Sequence, residues 1–566
     1  MVTIGIDLGT TNSLVSYWSE KGPVIIPNVL GSNLTPSVVS INDQNEILVG
    51  EVAQQRLITH PNLTASTFKR YMGTKKRYQL GKYTFSPEEL TSFLLSVLKA
   101  DAEAYLSQEV HNAVISIPAY FNDSQRRATK QAAELAGLKV ERLISEPTAA
   151  AICYGLHQQA SETKFMIFDL GGGTFDVSIL ELFEGVMEVR SISGDSFLGG
   201  EDFTNLLISD FAEVNQINLQ TLDSKTKAAL YKQAELCKRQ LSEKICAIIN
   251  LTIKEKHFEY VINRSDFDKL ATNLMLRMRQ PMNRALNDSS LVPEELNAVI
   301  LIGGATRMPI IKSIITKMFH RLPYSNINPD EAVALGAAIQ IALKERNEAL
   351  NEIILTDVCP FTLGTSVAKQ VGNGKMIGGC FFPIIERNTI IPVSRVERLT
   401  TCHDYQDIIV IDIFQGENHN VDENVKLGKL QISVPAAPAG MESVDVRYTY
   451  DINGILEVEL TTISTGEVKR IVIENSPGNM SKKEIDAILR NLKGLKINPR
   501  DKTENRLLIA KGERLFEETL GDRRRYIGEL LAKFEYTLSL QDERTIQKTA
   551  KELREVFGQI EGSGDY

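Results

Sequence analysis

Tryptophan occurs once in the 566 residues, at Trp18, and cysteine and histidine are scarce at six and seven. The cysteines Cys153, Cys237, Cys246, Cys359, Cys380 and Cys402 form no CxxC pair. None lies near a histidine at zinc-ligand spacing, which argues against a zinc site. Scattered thiols in a long chain suit a reducing cytoplasm, the expected location. No apolar run approaches the ~18 residues of a membrane span. The opening MVTIGIDLG lacks a basic stretch ahead of an apolar one, so no signal peptide is expected. Positive charge is also in deficit. The formal net charge of −9 argues against non-specific nucleic-acid binding, which needs a basic surface.

What is present is a globular composition, 43% hydrophobic and 24% charged, long enough for about three or four domains. To about residue 350 the pattern alternates strands and helices, as in an α/β fold. TIGIDL, LVSYW and NAVISIPAYF read as strands, and residues 87–106 and 123–137 as helices, the second with Asp123 as N-cap. After about 352 a short apolar stretch leads into period-two strands over some 120 residues, including DIIVIDIF and SVDVRYTYDINGILEVEL. From Ser481 the pattern is helical and charged, with Ser481 and Glu484 spaced as a capping box.

An internal repeat carries the most information. IGIDLGTTNSLVSYW (4–18) and MIFDLGGGTFDVSIL (166–180) share one plan: an apolar strand, Asp-Leu-Gly, a Gly/Thr turn and a second apolar strand. A β-hairpin alone says little, but a duplicated one with an acid at the same point implies two similar lobes. Turn N–H groups and the hydroxyls of Thr10, Thr11 and Thr174 can hold phosphate oxygens. A carboxylate beside a polyphosphate is repulsive unless a cation lies between them. Asp7 and Asp169 therefore read as partners of a hydrated Mg²⁺, which takes one or two carboxylates together with waters and phosphate oxygens. VILIGGATRMPIIK (299–312) could bring backbone close to a nucleoside, with Arg307 on the base. On the helix AELCKRQLS, Glu235, Lys238, Arg239 and Ser242 fall on neighbouring faces.

IGIDLGTTNS, PAYFNDSQR, ISEPTAAAICYGL, FDLGGGTFDVS, FLGGEDF, GGATRMP and NPDEAVALGAA occur in this order. Together they closely resemble the seventy-kilodalton heat-shock chaperones, the DnaK-like family of the actin and sugar-kinase superfold. The short segment between Lys69 and Ala113 and the short C-terminus most resemble the bacterial branch called HscC.

The resemblance implies a multidomain chain. A two-lobed actin-like α/β ATPase would span 1–350, a linker 351–357, a β-sandwich peptide-binding domain 358–480 and an α-helical lid 481–566. It implies ATP and ADP as ligands, with Mg²⁺ and K⁺. Asp7, Thr10 and Thr11 match the first phosphate loop. Lys69 matches the catalytic lysine, Glu146 the acid that positions water, and Pro147 a switch beside it. Asp169, Gly171, Gly172, Thr174 and Asp176 match the second loop, with Asp176 orienting water or K⁺. Gly200, Glu201 and Asp202 match a further loop element. Glu235, Lys238, Arg239, Ser242, Gly303, Gly304, Arg307 and Asp330 match adenosine contacts.

In the β-region Leu399, Ile409, Ile411, Val444 and Val446 would line a pocket for one apolar side chain of an extended client, with Ala368 and Cys402 at the arch. Ile353, Ile354 and Leu355 would be the docking linker, and Thr356 replaces a usual leucine. Unfolded or specific client proteins and a J-domain co-chaperone are the expected partners, with neither nucleic acid nor membrane. The segment 242–265 is a short hairpin with a brief KEKH turn, which implies that an exchange factor is dispensable. A small-molecule kinase of the same superfold and an actin-like filament protein are the alternatives. The strand-rich region after 358 weighs against the first.

Overall fold

The computed structural model describes residues 2–155, 163–183, 186–253, 256–324, 327–345, 354–371, 375–451, 454–473 and 499–562. It divides into two compact units, Met1–Pro360 and Phe361–Tyr566.

The first unit is built on two sheets of one plan. In one, Val2–Asp7 pairs antiparallel with Asn12–Ser19 and parallel with Val110–Ile117, which Lys139–Ser145 extends. In the other, Thr163–Leu170 pairs antiparallel with Phe175–Phe183 and parallel with Ala298–Ile302. Val186–Asp195 continues this second sheet. Parallel strands are covered on both faces, so they read as continuous apolar runs. Ile4, Ile6, Ile167 and Phe168 are all fully buried. The repeated sequence is thus a repeated hairpin, each beside a parallel neighbour on its N-terminal strand.

Helices cover these sheets. Pro87–Leu106 starts at a capping box between Ser86 and Glu89. Asp123–Leu135 is capped by Asn122, whose side chain accepts from Gln125 N, and not by Asp123 as its sequence suggests. Asp123 lies one residue inside, buried and ion-paired to Arg127. Both residue types cap well, so the sequence alone misplaces the boundary by one. The strand expected to run through Pro118 ends at Ile117, because proline cannot donate to the ladder. Ala332–Lys344 crosses the helix Glu146–Cys153 so closely that a Cβ on Gly336 would meet Ala149 Cα at 2.8 Å.

The short hairpin pairs Cys246–Ile253 with Lys256–Asn263 through to Ile253 opposite Lys256. Lys256 and His257 therefore belong to the ladder rather than to the turn expected at KEKH. Ala247, Ile249, Leu251, Tyr260 and Ile262 are buried on its inner face, while Ile248 and Val261 lie opposite each other and exposed. After the last helix, Ile354–Val358 adds a parallel strand to Val186–Glu188 of the second sheet.

The second unit holds two antiparallel four-stranded sheets. One orders Lys375–Ile385, Leu363–Val371, Ile408–Gln415 and Val425–Ser433, and the other Val393–Thr400, Ser443–Tyr450, Leu456–Thr462 and Val468–Val472. Buried Tyr448 ties one sheet to the other by donating its hydroxyl to Gly364 O at 3.0 Å. The helices Thr503–Glu518, Gly521–Ser539 and Glu543–Gly562 share a core that includes Leu515, Ile527, Phe534 and Phe557. The capping box proposed at Ser481 and Glu484, and linker residue Ile353, lie outside the described residues.

Candidate functional site

The two hairpin turns of the first unit meet at one side of a cleft of about 440 Å³. The first turn is fastened by serines. Ser13 Oγ accepts from Gly9 N at 3.1 Å, and Ser37 Oγ donates to Gly9 O at 2.8 Å. The second is fastened by the start of the helix Gly200–Val214, where Gly200 N donates to Gly171 O at 2.9 Å and Glu201 N to Gly172 O at 2.8 Å. The turns pack directly on one another. A Cβ on Gly172 would overlap the Thr11 hydroxyl, and one on Gly173 would meet Thr10 Cγ2 at 2.6 Å.

Lys69 enters from a short 3₁₀ turn, Phe68–Tyr71, that follows Thr67 at φ 56°. Its Nζ donates to Glu146 Oε1 at 2.7 Å, and both side chains are buried. Glu146 opens the helix Glu146–Cys153, with Pro147 beside it and Ser145 as its cap. Asp7 accepts from Ser116 Oγ at 2.7 Å, and Asp176 from Tyr120 N at 3.1 Å.

These acids are crowded. Burial, then the nearby Glu146, pushes the Asp7 carboxyl up to about 7, although Lys69 and Ser116 pull it down. The same two causes push Asp176 up to about 8. Asp169 is raised well above the usual carboxylate range by burial and then by Glu146, Asp176 and Asp7.

The other end of the cleft is a network of paired charges. On the helix Ser224–Glu243, Glu235 joins Lys238 at 2.6 Å and Arg239 at 2.9 Å. Burial alone would raise the Glu235 carboxyl, but these cations and the Thr204 hydroxyl outweigh it and hold it low. Lys238 also donates to Gly200 O at 2.8 Å. Gly303, at φ 82°, is a position that favours glycine, and a Cβ there would meet Asp169 Oδ1 at 2.8 Å. Arg307 pairs with Asp330 at 2.6 Å.

Asp7, Thr10, Thr11, Lys69, Glu146, Asp169, Gly171, Gly172, Thr174, Gly200, Glu201, Glu235, Lys238, Arg239, Ser242, Gly303, Gly304, Arg307 and Asp330 line one cleft, whereas Asp176 is not among its lining residues. The residues suggested for a peptide pocket are elsewhere, in the second unit. There Ile409, Ile411, Val444 and Val446 are buried and only Leu399 keeps partial exposure. Sequence reasoning missed Tyr231, which donates to Glu201 Oε1 at 2.6 Å, and Arg70, which reaches across the cleft. Neither stands in a recognisable spacing, since their partners are 30 and 103 residues away.

Two hairpins of one plan, closing over buried carboxylates and a lysine, define a two-lobed nucleotide-binding ATPase domain. The family profile described as Hsp70 protein matches residues 3–80 and 75–561. Proteins named chaperone protein DnaK from Thermotoga petrophila, Thermotoga maritima and Thermotoga neapolitana are each 41% identical over 505 residues, 87% of this chain and 83% of the relative. The chain belongs to the Hsp70 family. It is an ATP-dependent molecular chaperone, and the small-molecule kinase and filament readings lose their support.

A prediction follows from the crowded acids. A folded-state pKa above the unfolded value means that the folded chain holds the proton more tightly. Stability is then lost as pH rises through the folded pKa. For Asp7 that window runs from its ordinary 3.8 to about 7. Asp7→Asn should therefore raise the Tm of nucleotide-free protein by a few degrees at pH 8 and change it little at pH 4, as read by calorimetry. An equal shift at both pH values would contradict this account.

Proposed function

We propose that this chaperone hydrolyses ATP in the cleft of the first unit and couples hydrolysis to binding of extended client segments by the second. The observation that carries this reading is the Lys69–Glu146 pair, buried where the two turns converge. Phosphoryl transfer to water needs positioning and charge neutralisation more than covalent chemistry. Lys69 would supply positive charge to the γ-phosphate, and Glu146 would orient the attacking water. Thr10, Thr11, Gly171, Gly172, Thr174, Gly200 and Glu201 would cradle the phosphates. The donor set fits Mg²⁺. Asp7 is raised by burial and Glu146, and Asp169 by burial and by Glu146, Asp176 and Asp7. Mg²⁺ takes one or two carboxylates, and waters and phosphate oxygens would complete its shell. Bound there, Mg²⁺ would neutralise phosphate charge. Asp176 would orient water or K⁺. Glu235, Lys238, Arg239, Ser242, Gly303, Gly304, Arg307 and Asp330 would hold the adenosine.

The two antiparallel sheets would form a peptide-binding sandwich spanning 358–480, with the helices after 481 as its lid. A client would be held by backbone hydrogen bonds and one apolar side chain. Because Ile409, Ile411, Val444 and Val446 are buried, a side chain entering among them would have to part the sheets' inner faces, with partly exposed Leu399 at the rim. The residues 351–357 would be the linker. Its described part is paired into the second sheet, Leu355 opposite Met187, which supports docking as the route by which nucleotide and client sites influence each other. A J-domain partner would deliver client. No described helix is long and apolar enough to cross a membrane, and the cytoplasm is the proposed location. The short hairpin and the short segment after Lys69 favour the HscC-like branch, in which an exchange factor would be dispensable.

Three measurements test this reading. Lys69→Ala should slow single-turnover hydrolysis by about 10²–10³, as expected for loss of a preorganised charge, while ATP still binds. A wild-type rate would refute the site. Thr356 Oγ1 is buried in the docked strand without a hydrogen-bond partner, and a buried unpaired hydroxyl costs roughly 1–3 kcal/mol. Thr356→Val should therefore stabilise docking and slow amide exchange in 354–358 by about tenfold, whereas faster exchange would argue against it. Finally, stopped-flow release of labelled ADP should be fast and indifferent to the general exchange factor of the same organism. Many-fold acceleration would make that factor a required partner.

A further inference from the structure

Arg70 follows Lys69 directly, yet its side chain leaves the lobe that carries it. Only 11% of that side chain is exposed. Its Nε donates to Gly173 O at 2.7 Å and its Nη2 to Asp202 Oδ2 at 2.6 Å. Gly173 belongs to the second glycine turn. Asp202 lies in the first turn of the helix Gly200–Val214, and its Oδ2 also accepts from Gly199 N at 2.8 Å. One guanidinium thus joins the lysine segment, the glycine turn and the start of the helix whose amides fasten that turn. The fit is close, since a Cβ on Gly173 would lie 2.8 Å from Arg70 Nε. The next residue makes a second crossing: the Tyr71 ring meets Phe197 edge-on at 6.2 Å, with Lys76 Nζ 3.2 Å from the Tyr71 ring centroid.

A lysine on one lobe can serve a phosphate cradled by the other only if the two are held in register. Lys69 itself is bonded to Glu146, which meets Asp169 at the end of the strand ahead of the second turn, but neither contact reaches Gly173 or the helix start, which Arg70 alone among these residues bonds. We propose that Arg70 is a positioning residue for hydrolysis, a fork that locks the Lys69 segment to the Gly171–Gly173 turn. Guanidinium geometry suits this task, because two nitrogens with fixed spacing reach a carbonyl and a carboxylate at once. The inference rests on the reading that Lys69 serves the γ-phosphate.

The test is a double-mutant cycle read by single-turnover hydrolysis and by ATP Kd. Arg70→Ala should slow hydrolysis by about tenfold or more, since misplacement of the order of 1 Å is that costly, with Kd changed by less than about threefold. Arg70→Lys keeps the charge and loses the fork, so its rate should fall between the two. It carries the test if the alanine variant does not fold. In a Lys69→Ala background, Arg70→Ala should cost no more than about twofold further, because the residue it positions is gone. Rates near wild type in both Arg70 variants, a loss matched by an equal loss of affinity, or additive losses in the cycle would each overturn the proposal. A wild-type rate in Lys69→Ala alone would instead refute the site reading beneath it.

Discussion

Three acids share one buried ammonium, and a fourth is crowded against them. Lys69 pairs with Glu146 and acts on Asp7 and Asp176, while Asp169 meets only other acids, and much of the first unit can be understood from that imbalance. Removing charge from water is costly unless it is paired. Burial and the neighbouring acids push the Asp7 and Asp176 carboxyls up into the neutral range. A cation arriving with a polyphosphate would relieve that crowding.

The glycines serve the same constraint. The two turns nearly touch, and at Gly172 and Gly173 there is no room for a side chain between them. Behind the turns the support is serine hydroxyls on one side, and helix amides with the Arg70 guanidinium on the other. The charged groups at the far end of the cleft are different in kind. Glu235 pairs with both Lys238 and Arg239, so that end holds these cations against a shared carboxylate, and the three keep one positive charge in excess.

Much of this was legible in the sequence, because local chemistry and position coincide. A duplicated Asp-Leu-Gly hairpin has the same local consequences wherever the chain takes it, and its strands, turns and facing acids could be read directly. The Glu235-to-Ser242 spacing likewise follows from helix geometry. What could not be read was long-range and depends on packing. Nothing local distinguishes Arg70 from a solvated arginine, and its partners lie 103 and 132 residues away. Asn122 and Asp123 are equally good caps, and only the packed helix decides between them. The hairpin extends through Lys256 and His257 because cross-strand pairing outweighs the turn-like look of KEKH. In the second unit, β-branched residues that face a groove and those that fill a core look alike, and the burial of Ile409 and Ile411 was invisible in their alternation.

The strand Ile354–Val358 has a consequence beyond communication between sites. By pairing with Val186–Glu188 it covers part of the edge of the second sheet. An uncovered edge presents unpaired N–H and C=O groups, a template on which another chain can align and aggregate. Were this segment to leave, the edge at Val186–Glu188 would be open to other chains. The uncovered ladder is only three residue pairs long, and shortness is one of the ways in which native sheets keep an open edge from recruiting strangers.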